Sequence, residues 1–406
     1  MLSTEEVARR LGVKPATVYA YVSRGLLSSR RNGAGKGSLF DPAEVDAFVA
    51  GRRVSLAPTA PAIHTGITLI RDGRLFFRGR DASVLAWEQS YESVATLLWT
   101  GELGDVALVA PTELVALADA VTKPLPPSAR LTDRLRVIVA AAAAADPLRF
   151  DTTPAAVTAT GRTMLGTMVA ALPVRAVAVR AITDRGLADV LWPRLTAVPA
   201  SPAGVAALNA ALVLLADHDI AASTLAARVA ASTRAHPYAV VGAGLAALDG
   251  PLHGAASGLA YELLSDAVRD GDPVRTISER LRVGGVIAGF GHALYPDGDP
   301  RATTLLEILR DSPSGIRAGR GGPDPTAAAI IEELAAAMAR RPGVAPNVDF
   351  AIAALTLLYG MPPDAGEAIF AIARTAGWIA HALEEYGDRP SRFRPSGQYA
   401  GPAPRF

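Results

Sequence analysis

From Tyr91 to Glu385 the chain is a succession of alanine-rich aliphatic runs, each opened or closed by Pro, Gly or Asp. This punctuation constrains the fold more than any other feature. Runs of roughly 10–20 residues between breakers are too long for strands and suit helices. Alanine loses no side-chain entropy in a helix, so helix is the default reading. The firmest helical segments are 207–215, 221–232, 325–340, 349–359 and 366–385. The exception is Gly315–Asp324, rich in Gly and Arg, which reads as a mobile surface loop. With 406 residues, half of them hydrophobic, the chain can build two or three domains around a large core. The aliphatic runs are interrupted too often to span a membrane, and Val137–Ala145 is far too short. Residues 2–7, Leu-Ser-Thr-Glu-Glu-Val, lack a basic-then-apolar signal pattern, so a cytoplasmic protein is expected. The absence of cysteine excludes disulfides, thiol catalysis and cysteine metal sites.

One boundary is sharp. Residues 54–63 carry two prolines, no charge and no helical period, and read as a linker. The 53 residues before it hold nine Lys/Arg against five Asp/Glu, four net positive charges in a chain whose total is +1. Only this head suits a polyanion. Thr4 is positioned to cap a helix that carries Val7, Ala8 and Leu11 on one face. A second helix runs from Pro15 to Ser23, with proline in its first turn. Ser28 to Phe40 has the polar, glycine-rich look of a hairpin wing, and Asp41-Pro42 opens a short third helix through Phe48. After the linker, the alternating stretch from Ile67 with Asp72-Gly73 at its turn predicts a small hairpin. It leads into a helix with Tyr91, Val94, Leu97 and Leu98 inward, ended by Gly101.

Three distant segments put ionisable residues on glycine- or proline-bounded corners. They are Gly250-Pro-Leu-His-Gly254, Gly289-Phe-Gly-His292 and Asn347-Val-Asp-Phe350. A carbon–carbon condensation through an enol needs one base and two hydrogen-bonding groups for developing oxyanions, and His253, His292 and Asp349 supply that set. A lone Asp before a helix is more often only a cap. No clustered ligand set such as His-Glu-x-x-His appears, so no metal is expected.

With Phe-Arg-Gly-Arg at 77–80 and the segments at 215–228, 249–256, 289–302, 347–350, 373–381 and 394–399, the chain from about Gly66 onward resembles the citrate synthase family. The head resembles winged helix-turn-helix domains of the MerR/excisionase type, on Val7-Ala-Arg-Arg-Leu-Gly-Val13, Thr17-Val-Tyr19 and Gly25-Leu-Leu27. These resemblances imply an all-α fold apart from the wing and the hairpin. The head would take 1–53, the large domain 64–256 and 363–406, and the small domain 257–362, with the site in a hinged cleft. Asp349 would remove a methyl proton from the acyl thioester, His253 would stabilise the enolate, and His292 would polarise the ketone of oxaloacetate. His218, Arg301, Arg374 and Arg394 would bind the acceptor, Arg394 reaching into the partner's site of a homodimer. Gly289, Phe290 and Gly291 would hold the adenine end of coenzyme A. Lys14, Thr17 and Tyr19 would face a DNA groove, with Arg24, Arg30, Arg31 and Lys36 near phosphates. No cofactor is implied, acetyl-CoA being a substrate. His381 reads as structural or interfacial, and His64 and His236 match no role.

Some positions depart from the pattern. Ala293, Leu294, Tyr295 and Pro296 stand where many bacterial relatives place cations for the phosphates of coenzyme A. Asp219 and Ala221 replace a Glu-x-Asn pattern, and Gly254-Ala-Ala-Ser257 replaces Gly-Gly-Ala-Asn. The expected reaction is acetyl-CoA with oxaloacetate to citrate and coenzyme A. The alternatives are 2-methylcitrate synthesis from propionyl-CoA and a DNA-binding metabolite sensor. The head could also serve as a protein-interaction module.

Overall fold

The computed structural model describes residues 1–11, 13–23, 27–31, 38–42, 45, 63–104, 106–176, 186–251, 253–285, 287–311, 324–341, 344–390 and 393. The chain divides into a head, ending at His64, and a body that begins at Thr65. The loop expected at 315–324 lies outside the described residues apart from Asp324, and so does most of the expected third head helix.

In the head, helices Thr4–Leu11 and Pro15–Ser23 pack through Val7, Ala8 and Val18 onto Leu27, Phe40 and Val45. The first helix is capped one residue earlier than expected. Ser3 Oγ accepts the Glu6 N–H at 3.3 Å and the Glu6 carboxylate accepts the Ser3 N–H at 2.7 Å, a reciprocal capping box. The expected wing is present as Arg30–Arg31 paired antiparallel with Ser38–Phe40. Leu2–Ser3 adds a strand on the other edge, which the sequence did not suggest.

The body begins with strands Thr68–Arg71 and Arg74–Phe77, joined at Asp72 and Gly73, both left-handed at φ 51° and 70°. A third strand, Arg80–Asp81, extends this hairpin into a meander. The helix expected around Tyr91 is Tyr91–Thr100, capped by Ser90, and a shorter helix that the sequence did not suggest, Ala82–Glu88, capped by Asp81, precedes it. Gly101, at φ 88°, ends the second.

Helix Ala365–Gly387 is the spine of the body. It is apolar almost all round and buried along most of its length, which fits a helix surrounded by others. Helices Tyr91–Thr100, Leu131–Ala145, Pro154–Ala170, Pro202–Leu215, Ala222–Ser232 and Pro237–Leu248 pack against it. Donors from the surrounding layer reach its carbonyls. The Tyr91 hydroxyl donates to Ile372 and Ala373, and Trp99 Nε1 to Ala376 at 2.9 Å. Helix Val348–Leu358 organises a second group, packing on Ala256–Asp270, Pro300–Asp311 and Pro325–Ala339. Among the described residues no helix is long and apolar enough to cross a membrane.

Candidate active site

Helix Val348–Leu358 sets the place of Asp349. Its N-cap is Asn347, whose side-chain oxygen accepts the N–H groups of Asp349 and Phe350 at 3.0 and 3.4 Å. Asp349 is therefore not the cap, and no described residue bonds its carboxylate. Burial pushes this carboxyl up to about 6, against the opposing pull of Arg301. A base of that strength is still mostly ionised at neutral pH.

The His292 loop is zipped to the chain preceding Asp349. Asn347 N–H donates to Gly289 O at 2.9 Å, Asn347 Nδ2 to Gly291 O at 3.0 Å, and Gly291 N–H to Ala345 O at 2.8 Å. Gly289 is required at this junction: its φ is 88°, and a Cβ there would lie 3.0 Å from that of Phe350. Phe290 packs on Phe350, with ring centroids 5.0 Å apart. The glycines expected to let coenzyme A approach thus also serve this packing. His292 Nδ1 accepts the Leu294 N–H at 3.1 Å, which leaves the neutral ring an N–H donor at Nε2. Burial and Arg301 lower the His292 pKa and hold the ring neutral.

Asp299 joins the same corner. Its carboxylate takes Arg301 bidentately at 2.9 and 2.8 Å and also accepts the Val348 N–H at 2.9 Å. Arg301 is thereby fixed beside the first turn of the Asp349 helix, its guanidinium carbon 5.6 Å from the centre of the Tyr295 ring. Tyr295 is buried in the middle of the cluster. Its hydroxyl is 2.9 Å from His218 Nε2, and its ring centroid lies 4.9 Å from that of His292. His218 and His292 face each other edge to face at 5.3 Å. Burial, then Arg301 and Arg374, hold the His218 pKa well below the usual imidazole range.

On the other side, Arg374 from the spine helix donates through Nε to Leu215 O at 2.8 Å and stacks on Phe370 at 4.5 Å. Its Nη1 is buried without a partner. Burial lowers the Arg374 pKa to about 10. Phe370 also meets the His253 ring edge to face at 5.6 Å. His253 sits in a turn before helix Ala256–Asp270, where the Gly254 N–H donates to Leu248 O at 2.9 Å. Its Nε2 is 2.8 Å from Ser223 Oγ, and burial, then Arg374, pushes its pKa down to about 4.

The structure thus links His218, His253, His292, Asp349, Arg301 and Arg374 through one continuous set of contacts and charge interactions. Arg394 lies outside the described residues. In the head, Lys14 and Tyr19 are exposed and Thr17 is half-buried, Arg30 and Arg31 form an edge strand of the wing, and Arg24 and Lys36 are outside the described residues. Sequence reasoning missed Ser223, Tyr295 and Asp299 as site residues. Each stands in a quoted segment, but only the fold shows what it touches.

Residues 58–396 match the family model for the citrate synthase C-terminal domain, and residues 1–53 match a helix-turn-helix domain model. The chain is 30% identical to 2-methylcitrate synthase 2 of Corynebacterium glutamicum, over 80% of this chain and 88% of that protein. It is 33% identical to the citrate synthase of Haloferax volcanii, over 81% of this chain and 90% of that one. Among solved structures, Thermoplasma acidophilum citrate synthase in complex with carboxymethyl coenzyme A and oxaloacetate aligns with a TM-score of 0.70. That alignment has 25% identity and covers 86% of this chain and 96% of the other. The chain belongs to the citrate synthase family and carries a helix-turn-helix domain at its N-terminus.

Proposed function

We propose that this protein condenses a short acyl-CoA thioester with oxaloacetate, with acetyl-CoA and citrate as the leading substrate and product. The observation that carries this reading is Asp349: a carboxylate with no capping duty, at a helix start, with its pKa raised to about 6. It takes a proton from the carbon next to the thioester carbonyl. With the Ser223 hydroxyl donating to Nε2, His253 presents Nδ1–H to the oxygen that becomes an enolate. The enol carbon attacks the ketone of oxaloacetate, which His292 polarises through Nε2–H. Arg374 and Arg301 offer guanidinium N–H groups to the acceptor carboxylates. Water then hydrolyses the new thioester and releases coenzyme A. Gly289, Phe290 and Gly291 flank the thioester in this reading, and Arg394 completes the acceptor site of a partner subunit in a cytoplasmic homodimer. The cleft opens and closes between a small lobe, 257–362, and a large one.

The test is thiol release with a chromogenic reagent, offering acetyl-CoA and propionyl-CoA in turn with oxaloacetate. The chain has no cysteine, so its own background is low. Release with either thioester supports condensation, and the ratio of kcat/KM values decides between citrate and 2-methylcitrate synthesis. One methylene is worth only ~1–3 kcal/mol in a pocket, so both are to be tried. Silence with both, from a folded protein that binds oxaloacetate, favours a sensor. The helix-turn-helix match and the exposed Lys14 and Tyr19 support a second reading of the head as a DNA-binding domain. Its mark is salt-dependent binding to the protein's own upstream DNA that is lost in Lys14→Ala.

A further inference from the structure

Behind the acceptor side of the cluster lies a buried charged network that the proposed chemistry does not use. Arg228 is 2% exposed and sits between two carboxylates: Nε donates to Glu385 at 2.7 Å and Nη1 to Glu384 at 2.7 Å. The same Nη1 lies 2.8 Å from His381 Nδ1. A guanidinium can only donate, so Nδ1 is an acceptor, and the ring carries its proton on Nε2. That Nε2 lies 3.3 Å from the fully buried carboxylate of Asp217, which also takes the Thr68 hydroxyl at 2.5 Å. Asp217 Oδ1 lies the same 3.3 Å from the imidazole without hydrogen-bond geometry and is otherwise unpartnered.

Two features tie this network to the acceptor site. Asp217 precedes His218, and among charged groups it acts most strongly on Arg374, offsetting part of the cost of burying that cation. The backbone is also clamped: the Gly377 N–H donates to Ala216 O at 3.0 Å, and a Cβ at 377 would lie 2.5 Å from both Ala216 O and Asp217 Oδ1. Arg228 fixes the side of the His381 ring that accepts, so that Nε2–H is directed at Asp217. His381 thereby orients the carboxylate that acts on Arg374.

We propose that Asp217, oriented through His381 and Arg228, is a positioning residue that holds Arg374 and His218 ready for the acceptor carboxylates. This inference rests on the reading that Arg374 binds an acceptor carboxylate. It predicts that damage to the relay weakens the acceptor end and leaves the thioester end alone. A glutamine at 381 can accept from Arg228 through its carbonyl and donate to Asp217 through its amide, whereas leucine can do neither.

The test uses the full chain. Oxaloacetate binding is measured by titration calorimetry, and the KM values for oxaloacetate and acetyl-CoA by thiol release. His381→Leu and Asp217→Asn should each weaken oxaloacetate binding at least ~10-fold, with the acetyl-CoA KM within about twofold of the parent. His381→Gln should recover binding to within about threefold. Equal behaviour of the Gln and Leu variants, a parallel rise in both KM values, or unchanged binding by Asp217→Asn overturns the proposal. If the Leu variant does not fold, Asp217→Asn and His381→Gln decide it. A parent that binds oxaloacetate without turning over either thioester removes the condensation reading, and calorimetry then judges the relay alone. A parent that does not bind oxaloacetate overturns both.

Discussion

Two buried arginines stand in the candidate site, and the protein treats them in opposite ways. Arg301 has its counter-charge two residues away: Asp299 grips it bidentately and uses its remaining capacity on the Val348 N–H. Arg374 has no such grip. One nitrogen is spent on the Leu215 carbonyl, Nη1 is left without a partner, and its negative neighbour is itself held by other residues. The first corner is complete in the absence of ligand and fixes the helix that carries Asp349. The second is stable only because the surrounding helices hold it, and it stores an unmet demand for an anion. A guanidinium paired along one edge positions its neighbours and keeps only its other edge for an acceptor, whereas a buried donor with no partner demands one.

The comparison can be broken at several points. Asp349→Ala removes the base from the completed corner and should lower kcat by ~10³-fold or more, with the melting temperature little changed. Near-parental turnover in that variant would sink the proposed mechanism. Arg301→Leu strands Asp299 in the interior and should destabilise the fold by about 3–5 kcal/mol, read by denaturant titration. Arg374→Leu should do the reverse: an oxaloacetate KM up ~100-fold, from the loss of charge-assisted hydrogen bonds, and a smaller loss of stability. If the two substitutions cost the same stability, the contrast between the corners fails.

The smallest effect is on pH. Asp349 titrates at about 6, and His253 at about 4 remains neutral above that. An acid limb in kcat/KM should therefore be centred near pH 6 and fall toward tenfold per unit below it. The same group has a raised pKa in the folded state, so its contribution favours folding at acid pH and is lost as pH rises through 6. Asp349→Asn should then stabilise the protein at pH 8 by up to about 3 kcal/mol, a gain that disappears below about pH 4.

The helices were legible because breakers mark their ends: Gly101, Pro325 and Asn347 lie at boundaries the structure keeps. The errors are local competitions between neighbouring residues. Ser3 rather than Thr4 caps the first helix because Glu6 is spaced to answer it. Ala82–Glu88 went unread as a helix of its own, set off by Ser90, whose hydroxyl accepts the Ser93 N–H and opens the expected helix at Tyr91. In the site, the two histidine corners and Asp349 were readable from their glycines and prolines. Tyr295 was noticed only for the cations missing around it, because its partner His218 is 77 residues away. The Ser223–His253 contact, across 30 residues, and the Asp217–His381 contact, across 164, are likewise products of packing with no periodic signature.

Gly377 shows how closely the backbone of the candidate site is held. The helix that carries Arg374 touches the chain carrying Asp217 and His218 so closely that one methyl group at 377 would have to displace it. A variant that drifts toward a new acceptor must move that contact and the buried charges behind it together, which single substitutions rarely achieve. The His253 side carries a lock of the same kind: the Gly254 N–H donates to Leu248 O at 2.9 Å, and a Cβ at 254 would lie 2.5 Å from that oxygen. Under the proposed reaction both ends of the site are thus held by a glycine seated against a carbonyl, so a change of either substrate falls to side chains rather than to the backbone.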